Sequence, residues 1–366
     1  MILEIGKVRY QVLMAKDEGR KKNKNFKTTI GGQALIEGIM MRGPEKAAYV
    51  VRGPDGMVTR ERKLKSPKEK FFLLRWPFIR GIFNFVGSMA DGMKALTWSA
   101  EQIPEDEEYT PGEDEKQPSK FSLWLDRKLS SEKAQKRLMT AAVVFGIVLS
   151  VGVFMLLPAF LTGLLGGEAL SRGIVRNLLE GLIRMVILVG YMALVSRMKD
   201  IKRVFSYHGA EHKTIACYEA GCELTVENVR GFSRFHPRCG TSFLFMVVII
   251  SILLFSLLTP LENMLLGIGG ADGDAAQVVS TSWLYILFRV ASRLILLPIL
   301  VSITYEFNRI VGRFDNPLTR VLRAPGLLMQ RMTTNEPDDS MIEVGIESLR
   351  LVIPREKGAD EWGKSN

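Results

Sequence analysis

The residues best suited to metal chemistry are concentrated in one short part of the sequence. The chain has three histidines and three cysteines. All six lie between positions 208 and 239: His208, His212, Cys217, Cys222, His236 and Cys239. Independent placement would rarely produce such clustering. Because imidazole nitrogen and thiolate sulfur are the usual zinc ligands, the sequence predicts a divalent metal site, with zinc the favoured ion.

The spacing of the first two histidines suggests how they bind the ion. His208 and His212 are four positions apart, so a helix would place both imidazoles on one face. Glu211 completes the string H-x-x-E-H, the inverted form of a zinc-protease motif. In such sites the glutamate is the general base for a water molecule activated by the metal. We therefore interpret His208 and His212 as metal ligands and Glu211 as the catalytic base.

His236 and Cys239 form a second pair of candidate ligands. If both join the two helical histidines, the tetrahedral sphere is closed and the metal is structural. If one position stays open to water, the site is catalytic. The sequence leaves both alternatives open, and it offers Glu306 and Cys217 as additional ligands.

Four long apolar segments must position this cluster. Residues 138–167 carry no charge, and about 20 apolar residues cross a bilayer core. The other segments are 174–196, 239–261 and 282–305. Pro158 should kink or end the first segment. The pattern predicts an α-helical integral membrane protein with about four transmembrane helices.

Charged residues interrupt the second and fourth segments. Four of them form a predicted intramembrane charge cluster: Glu180, Arg184, Arg289 and Arg293. Such charges are costly in a bilayer unless they are paired or hydrated. One interpretation is a Glu180–arginine bridge that joins the second and fourth helices. The other is a hydrated, positive groove like that of a membrane insertase.

The distribution of lysine and arginine predicts the orientation. The loop from 197 to 240 carries eight of these residues, whereas the connection from 259 to 281 carries none. The positive-inside rule then places both termini and the 197–240 loop in the cytoplasm, and the lipid bilayer is the first expected partner. The net charge of +10 also suits binding to a ribosome, whereas no specific DNA recognition is expected.

The segments divide the chain into eight parts, of which the soluble ones should form a small mixed α/β cytoplasmic domain. A β-hairpin is predicted around Gly53-Pro54-Asp55-Gly56, and 71–100 is an interfacial amphipathic helix or, alternatively, a buried soluble one. A short amphipathic helix is predicted over 336–353.

The predicted parts are a basic N-terminal tail (1–27), a glycine-rich and β-hairpin segment (28–70), the interfacial helix (71–100), an acidic disordered linker (101–120), the first two transmembrane helices (121–196), the His/Cys loop (197–240), the last two transmembrane helices (241–308) and a C-terminal segment (309–366).

Four strings in the sequence resemble the bacterial YqhQ-type family of membrane proteins. They are the glycine-dense segment Gly31–Pro44, His208-Gly-Ala-Glu-His-Lys213, the string HPRCGTSFL at 236–244, and Thr333-Thr334-Asn335-Glu336-Pro337. The resemblance covers nearly the whole chain after residue 27. It implies a multispanning protein of the bacterial inner (cytoplasmic) membrane, of unknown function, that is regarded as a metal-dependent enzyme.

Two functions of different classes follow from the cluster. The first is metal-assisted hydrolysis at the cytoplasmic membrane face. The second is a non-enzymatic factor in membrane-protein biogenesis, with a structural metal and a basic face toward the ribosome or the translocon. The sequence leaves the substrate and the oligomeric state undetermined.

Overall fold

A computed structural model describes residues 26–64, 76–103, 132–165, 173–265, 283–356 and 358–362. The predicted basic tail lies outside the described residues except for its last two positions, and the acidic linker lies outside them beyond residue 103. The described part contains one small antiparallel sheet and ten α-helices.

The sheet is a four-stranded meander in the order β1-β2-β3-β4. Its strands are β1 (Gly31–Leu35), β2 (Gly38–Arg42), β3 (Lys46–Gly53) and β4 (Gly56–Lys63). The predicted hairpin is present as β3 and β4, which pair in register from Lys46–Lys63 to Gly53–Gly56. Strands β1 and β2 occupy the glycine-dense segment, for which the sequence pattern predicts no strands.

The helices follow the sheet along the chain. They are α1 (Ile79–Glu101), α2 (Glu132–Val151), α3 (Leu157–Leu164), α4 (Gly173–Val195), α5 (Lys199–Glu219), α6 (Val226–Arg230), α7 (Gly240–Leu265), α8 (Trp283–Arg313), α9 (Pro317–Thr333) and α10 (Asp339–Val352). The predicted C-terminal helix is confirmed as α10, and the Asp338 side chain caps its start by accepting from the Met341 N–H. A π-helical turn, Gly152–Leu156, joins α2 to α3.

Both faces of the sheet are covered by helices. One face packs against α5 and α10 through a buried cluster that includes Ile39, Val50, Tyr207 and Val344. The other face packs against α1, where Tyr49 and Val51 meet Ala95. Apolar burial of this kind stabilises a small sheet that would be marginal alone. The sheet thus packs directly against α5, the helix that carries the H-x-x-E-H string.

Among the residues that the structure describes, four helical stretches are long and apolar enough to cross a membrane. The stretches are Thr140–Leu164, Val175–Val195, Gly240–Leu258 and Val290–Arg313. The first three match the predicted segments closely. The fourth ends later than predicted because α8 continues without interruption to Arg313.

Three of the charges inside these helices are paired with one another. Glu180 on α4 forms ion pairs with Arg293 on α8 and with Arg184 one turn along α4, the latter at 3.0 Å. This is the predicted bridge between the second and fourth apolar helices. The side chain of Arg289 lies outside the described residues.

Arg184 also compensates for a proline in the first apolar helix. Pro158 has no N–H, so the carbonyl oxygen of Phe154 lacks its usual partner four residues later. Of the two predicted effects of Pro158, an end of the helix is not observed, because the helix continues through the π-helical turn. Nε of Arg184 donates to the Phe154 oxygen at 2.9 Å. The side chain of Arg184 thus joins the first two apolar helices.

Candidate metal centre

Helix α5 carries three of the predicted site residues on one inward face. From Tyr207 to Ile215 every residue of this helix except His208 is buried. The chain after α9 crosses the helix so closely that a side chain at Gly209 would overlap the carbonyl oxygen of Asn335. Glycine at 209 is therefore required for this approach, which holds α5 firmly beside the end of α9.

Three candidate ligands converge at this face. Nitrogens of His208 and His212 and the sulfur of Cys239 all lie within 4.8 Å of one another. Nε2 of His208 is 3.2 Å from Sγ of Cys239, and the two imidazole rings are 4.4 Å apart between centroids. Ligand atoms of a tetrahedral zinc centre are separated by about 3.4 to 3.8 Å, so small shifts would bring these three atoms onto one ion.

Backbone carbonyls orient both imidazoles. Nδ1 of His208 lies 2.8 Å from the carbonyl oxygen of Thr333, and Nδ1 of His212 lies 2.6 Å from that of Arg234. A carbonyl only accepts, so each Nδ1 carries the proton and each Nε2 faces the cluster. Metal-binding histidines are commonly held in this way by a second hydrogen bond.

Glu211 is buried beside the cluster with one oxygen unsatisfied. Its carboxylate accepts a hydrogen bond from the N–H of Gly32 in β1, while Oε2 is buried without a partner among the described residues. Burial raises the pKa of Glu211, and the neighbouring His208 and His212 oppose that rise. A buried polar atom without a partner is costly, and it marks a place where water or a ligand belongs.

Cys239 lies immediately before α7, where the helix exposes free N–H groups. The N–H of Thr241 donates to Sγ at 3.4 Å. Burial would raise the pKa of this thiol, but the neighbouring His208 and His212 imidazoles hold it well below its usual range. Conversely, burial disfavours a charged His208, yet the Cys239 thiolate raises the pKa of His208 to about 9. The thiolate form is the one that binds metals.

His236, predicted as a fourth ligand, does not join the group of three. Its Nε2 lies 3.6 Å from Oε2 of Glu219, and its ring is 5.6 Å from that of His212. Gln330 on α9 fixes the backbone here, because it accepts from the N–H and donates to the carbonyl of His236, each at 2.8 Å. His236 therefore lies next to the cluster without joining it, and its backbone, held by Gln330, anchors the loop that carries Cys239.

The two additional ligands that we proposed lie elsewhere. Glu306 is held by a bidentate ion pair with Arg80 of α1, at 2.6 and 2.5 Å. Cys217 is buried among apolar residues between α5, α6 and α10, and its Sγ is 3.6 Å from the carbonyl oxygen of Glu223. Neither group lies with the three candidate ligands, because long-range packing, which the spacing does not report, places both in other contacts.

Sequence reasoning missed the residues that support the cluster. Gly32, Thr333 and Arg234 act through backbone atoms, which no motif reports directly. A signal was present for the first two, since the glycine-dense segment and the Thr333–Pro337 string stood out as motifs. Gly32 has a specific steric role: a Cβ there would lie 2.9 Å from Cδ of Glu211.

Four membrane-length helices, a small antiparallel sheet and a histidine–cysteine–glutamate cluster define a class of mainly helical protein with a candidate metal centre. The chain belongs to the family described as protein of unknown function (DUF1385), whose model matches residues 76–355. It is 32% identical over 327 residues to "Uncharacterized protein YqhQ" of Bacillus subtilis (strain 168), which covers 88% of this chain and 92% of that protein. The resemblance drawn from the four strings is thus confirmed for the family.

No solved structure matches this chain.

Proposed function

We propose that this protein is a metal-dependent hydrolase at the cytoplasmic face of a bacterial inner membrane, with zinc bound by His208, His212 and Cys239. The observation that carries the proposal is the orientation of the two imidazoles. Both turn Nδ1 to a backbone carbonyl and Nε2 to the cluster. A bound ion would displace the proton that Nε2 of His208 shares with the Cys239 thiolate, so the two Nε2 atoms and one thiolate sulfur would then share one ion, as in a zinc centre.

The donor set suits catalysis better than a structural role. Three protein ligands leave one tetrahedral position for water or substrate, whereas structural zinc usually has four. His208 and Cys239 are half-buried, so the centre has a side that solvent can reach. A bound zinc ion would supply a Lewis acid and lower the pKa of a water molecule.

Glu211 has the features of the general base. Its free Oε2 would accept the proton of the attacking water, and the hydrogen bond from Gly32 would hold the other side of the carboxylate. A buried carboxylate with a raised pKa is a more effective base near neutral pH than an exposed one. His208 and His212 would keep their orientation throughout, because their Nδ1 contacts are to backbone atoms.

The membrane location is supported by the four apolar helices and by the charge of the connecting loop. The cluster lies at the start of α7, in the arginine-rich stretch between the second and third apolar helices, and the positive-inside rule assigns such a loop to the cytoplasm. Resistance of the full chain to extraction with alkaline carbonate would test the insertion. Reporter fusions at each terminus would test the orientation.

A decisive test of the metal site compares two substitutions in the full chain purified in mild detergent. We expect about one zinc ion per chain by elemental analysis. His212→Ala should reduce this content to background, whereas Cys217→Ser, a change at a buried cysteine outside the cluster, should retain it. Equal metal content in the two variants would contradict the site.

Catalysis is tested separately with Glu211→Gln. This variant keeps the size of the side chain and should keep the metal, but it should lose hydrolysis by roughly a hundredfold or more. Ester, peptide and phosphodiester chromogenic substrates are the probes. Full turnover of any of them by the Gln variant would exclude Glu211 as the base.

A second candidate function rests on the 3.2 Å contact between His208 and Cys239. The two could act as a cysteine nucleophile and its acid–base partner, with Thr333 orienting the imidazole. Such an enzyme would turn over after chelation and be inactivated by iodoacetamide. The hydrolase proposed above would be inactive after chelation and recover with zinc.

The biogenesis factor remains an alternative hypothesis that depends on the basic loop. Its arginine-lined groove has less support, since Arg184 and Arg293 are paired with Glu180. Salt-sensitive co-sedimentation of the full chain with ribosomes would favour it.

A further inference from the structure

Helix α9 is placed at the ends of two membrane-length helices. It starts at Pro317, after a connection of three residues from the end of α8 at Arg313. It packs against the first turn of α7, where a Cβ at Gly326 would lie 2.5 Å from Cβ of Ser242. These contacts tie α9 to the end of α8 and the beginning of α7, where both helices should leave the bilayer.

Helix α9 buries polar side chains and exposes apolar ones, the reverse of a helix on the surface of a water-soluble protein. The side toward the protein buries polar groups, among them Thr319, Gln330 and Thr333. The opposite side exposes apolar ones: Leu318, Val321 and Leu328 are 67%, 68% and 57% exposed. On a helix these three positions fall on one stripe. An apolar stripe turned outward indicates that the surrounding medium is not water alone.

The charge around this stripe has one sign. Between 309 and 333 the chain has five arginines and a single acid, Asp315. Arg320 and Arg331 are exposed on α9 beside the apolar stripe, although Arg320 also pairs with Asp315 at the surface. An exposed apolar stripe flanked by arginines is typical of helices that lie in the interface of anionic membranes.

We propose that α9 lies in the plane of the bilayer interface, with its apolar stripe inserted among the lipid chains and its arginines on anionic phospholipid headgroups. This inference rests on the membrane insertion included in the proposed function, but not on catalysis. It has a consequence for the candidate metal centre. The carbonyl of Thr333, the last residue of α9, orients His208, and Gln330 fixes the loop of His236. The centre would then lie at the level of the headgroups.

The experiment measures the accessibility of α9 in a membrane. The full chain with Leu328→Cys is reconstituted into nanodiscs of phosphatidylcholine, alone or mixed with phosphatidylglycerol, and treated with a charged maleimide. Labelling is quantified for each cysteine peptide by mass spectrometry, so the native cysteines do not interfere. Thr59→Cys on the exposed face of β4 is the matched control, and Val321→Cys is a second probe should the first variant misfold.

We expect Leu328→Cys to react roughly tenfold more slowly than Thr59→Cys in the anionic discs. The protection should decrease in phosphatidylcholine alone, and also when Arg320 and Arg331 are both replaced by glutamine. Equal labelling rates at 328 and 59 would overturn the proposal, and protection independent of lipid charge would overturn its anionic part. Metal content is measured on the same discs, so that the two proposals are tested separately. If α9 is protected but no zinc is bound, the proposed hydrolase is contradicted and the interfacial position of α9 is not.

Discussion

Nε2 of His208 lies 3.2 Å from Sγ of Cys239, although 31 positions separate the two residues. The contact exists because α5 and the start of α7 meet beside the end of α9, where Thr333 accepts the other ring nitrogen. Each of the two side chains also has a second hydrogen bond, His208 to the carbonyl of Thr333 and Cys239 from the N–H of Thr241. The pair is therefore held in place from both sides. His208 and Cys239 are half-buried, whereas His212 and Glu211 are buried.

The reactivity of Cys239 should report metal binding. In chelator-treated protein, iodoacetamide should alkylate the half-buried Cys239 but not the fully buried Cys217. Added zinc should protect Cys239, because a coordinated thiolate is no longer a free nucleophile. Peptide mass spectrometry measures both sites in one sample. Alkylation of Cys239 at the same rate with and without zinc would argue against its role as a ligand.

Gly32 should be required for the position of Glu211. A Cβ at this residue would lie 2.6 Å from the carbonyl oxygen of Met40 and 2.9 Å from Cδ of Glu211. Gly32→Ala should therefore lower the free energy of unfolding by about 1 to 3 kcal/mol, as overpacking does. Gly31→Ala is the matched control, since a Cβ there meets nothing within 4 Å. Thermal unfolding measures both variants, and similar midpoints would refute the steric role.

The charge cluster between α4 and α8 should be essential for stability. Glu180→Ala leaves Arg293, which is 4% exposed, without its carboxylate. We expect a loss of about 3 kcal/mol or more, measured by thermal unfolding in detergent. The double variant Glu180→Leu/Arg293→Leu should recover part of the loss, and Leu182→Ala on the exposed side of α4 should cost little. A double variant no more stable than the single one would show that the pair is not the cause.

Asp91 should make the stability of the sheet against α1 depend on pH. It accepts from Arg62 at 2.6 Å and lies 3.4 Å from Arg42. The hydrogen bond from Arg62 holds the pKa of Asp91 below its usual value of 3.8, although burial opposes this. Because the folded-state pKa is the lower one, the stabilisation is present above pH 3.8 and is lost as the pH falls through the folded-state value.

The corresponding comparison is between wild type and Asp91→Asn. At pH 7 the variant should be less stable by about 1 kcal/mol, since the pair is partly exposed, and the difference should vanish in acid. Glu61→Gln removes a surface pair with Lys46 and should have a smaller effect. A difference for Asp91→Asn that does not change between pH 7 and strongly acidic conditions would rule out its ionisation as the origin. Chemical unfolding at each pH provides the measurement.

The sequence by itself determined the features that depend on neighbours along the chain. Four apolar stretches identified the long helices, the Pro-Asp-Gly turn identified the β3–β4 hairpin, and the spacing of His208 and His212 placed them on one helical face. These patterns are local, so the periodicity of a helix or a turn is enough to read them. The family was also recognisable from four strings.

Only the tertiary structure decided which of the candidate groups meet. It selected Cys239 over His236, engaged Glu306 with Arg80 and buried Cys217 in an apolar cluster. It also formed two strands from the glycine-dense segment, although glycine is otherwise unfavourable in strands, and Gly32 lets β1 approach Glu211 closely. These outcomes depend on contacts between distant segments and on backbone atoms, neither of which residue type and spacing encode.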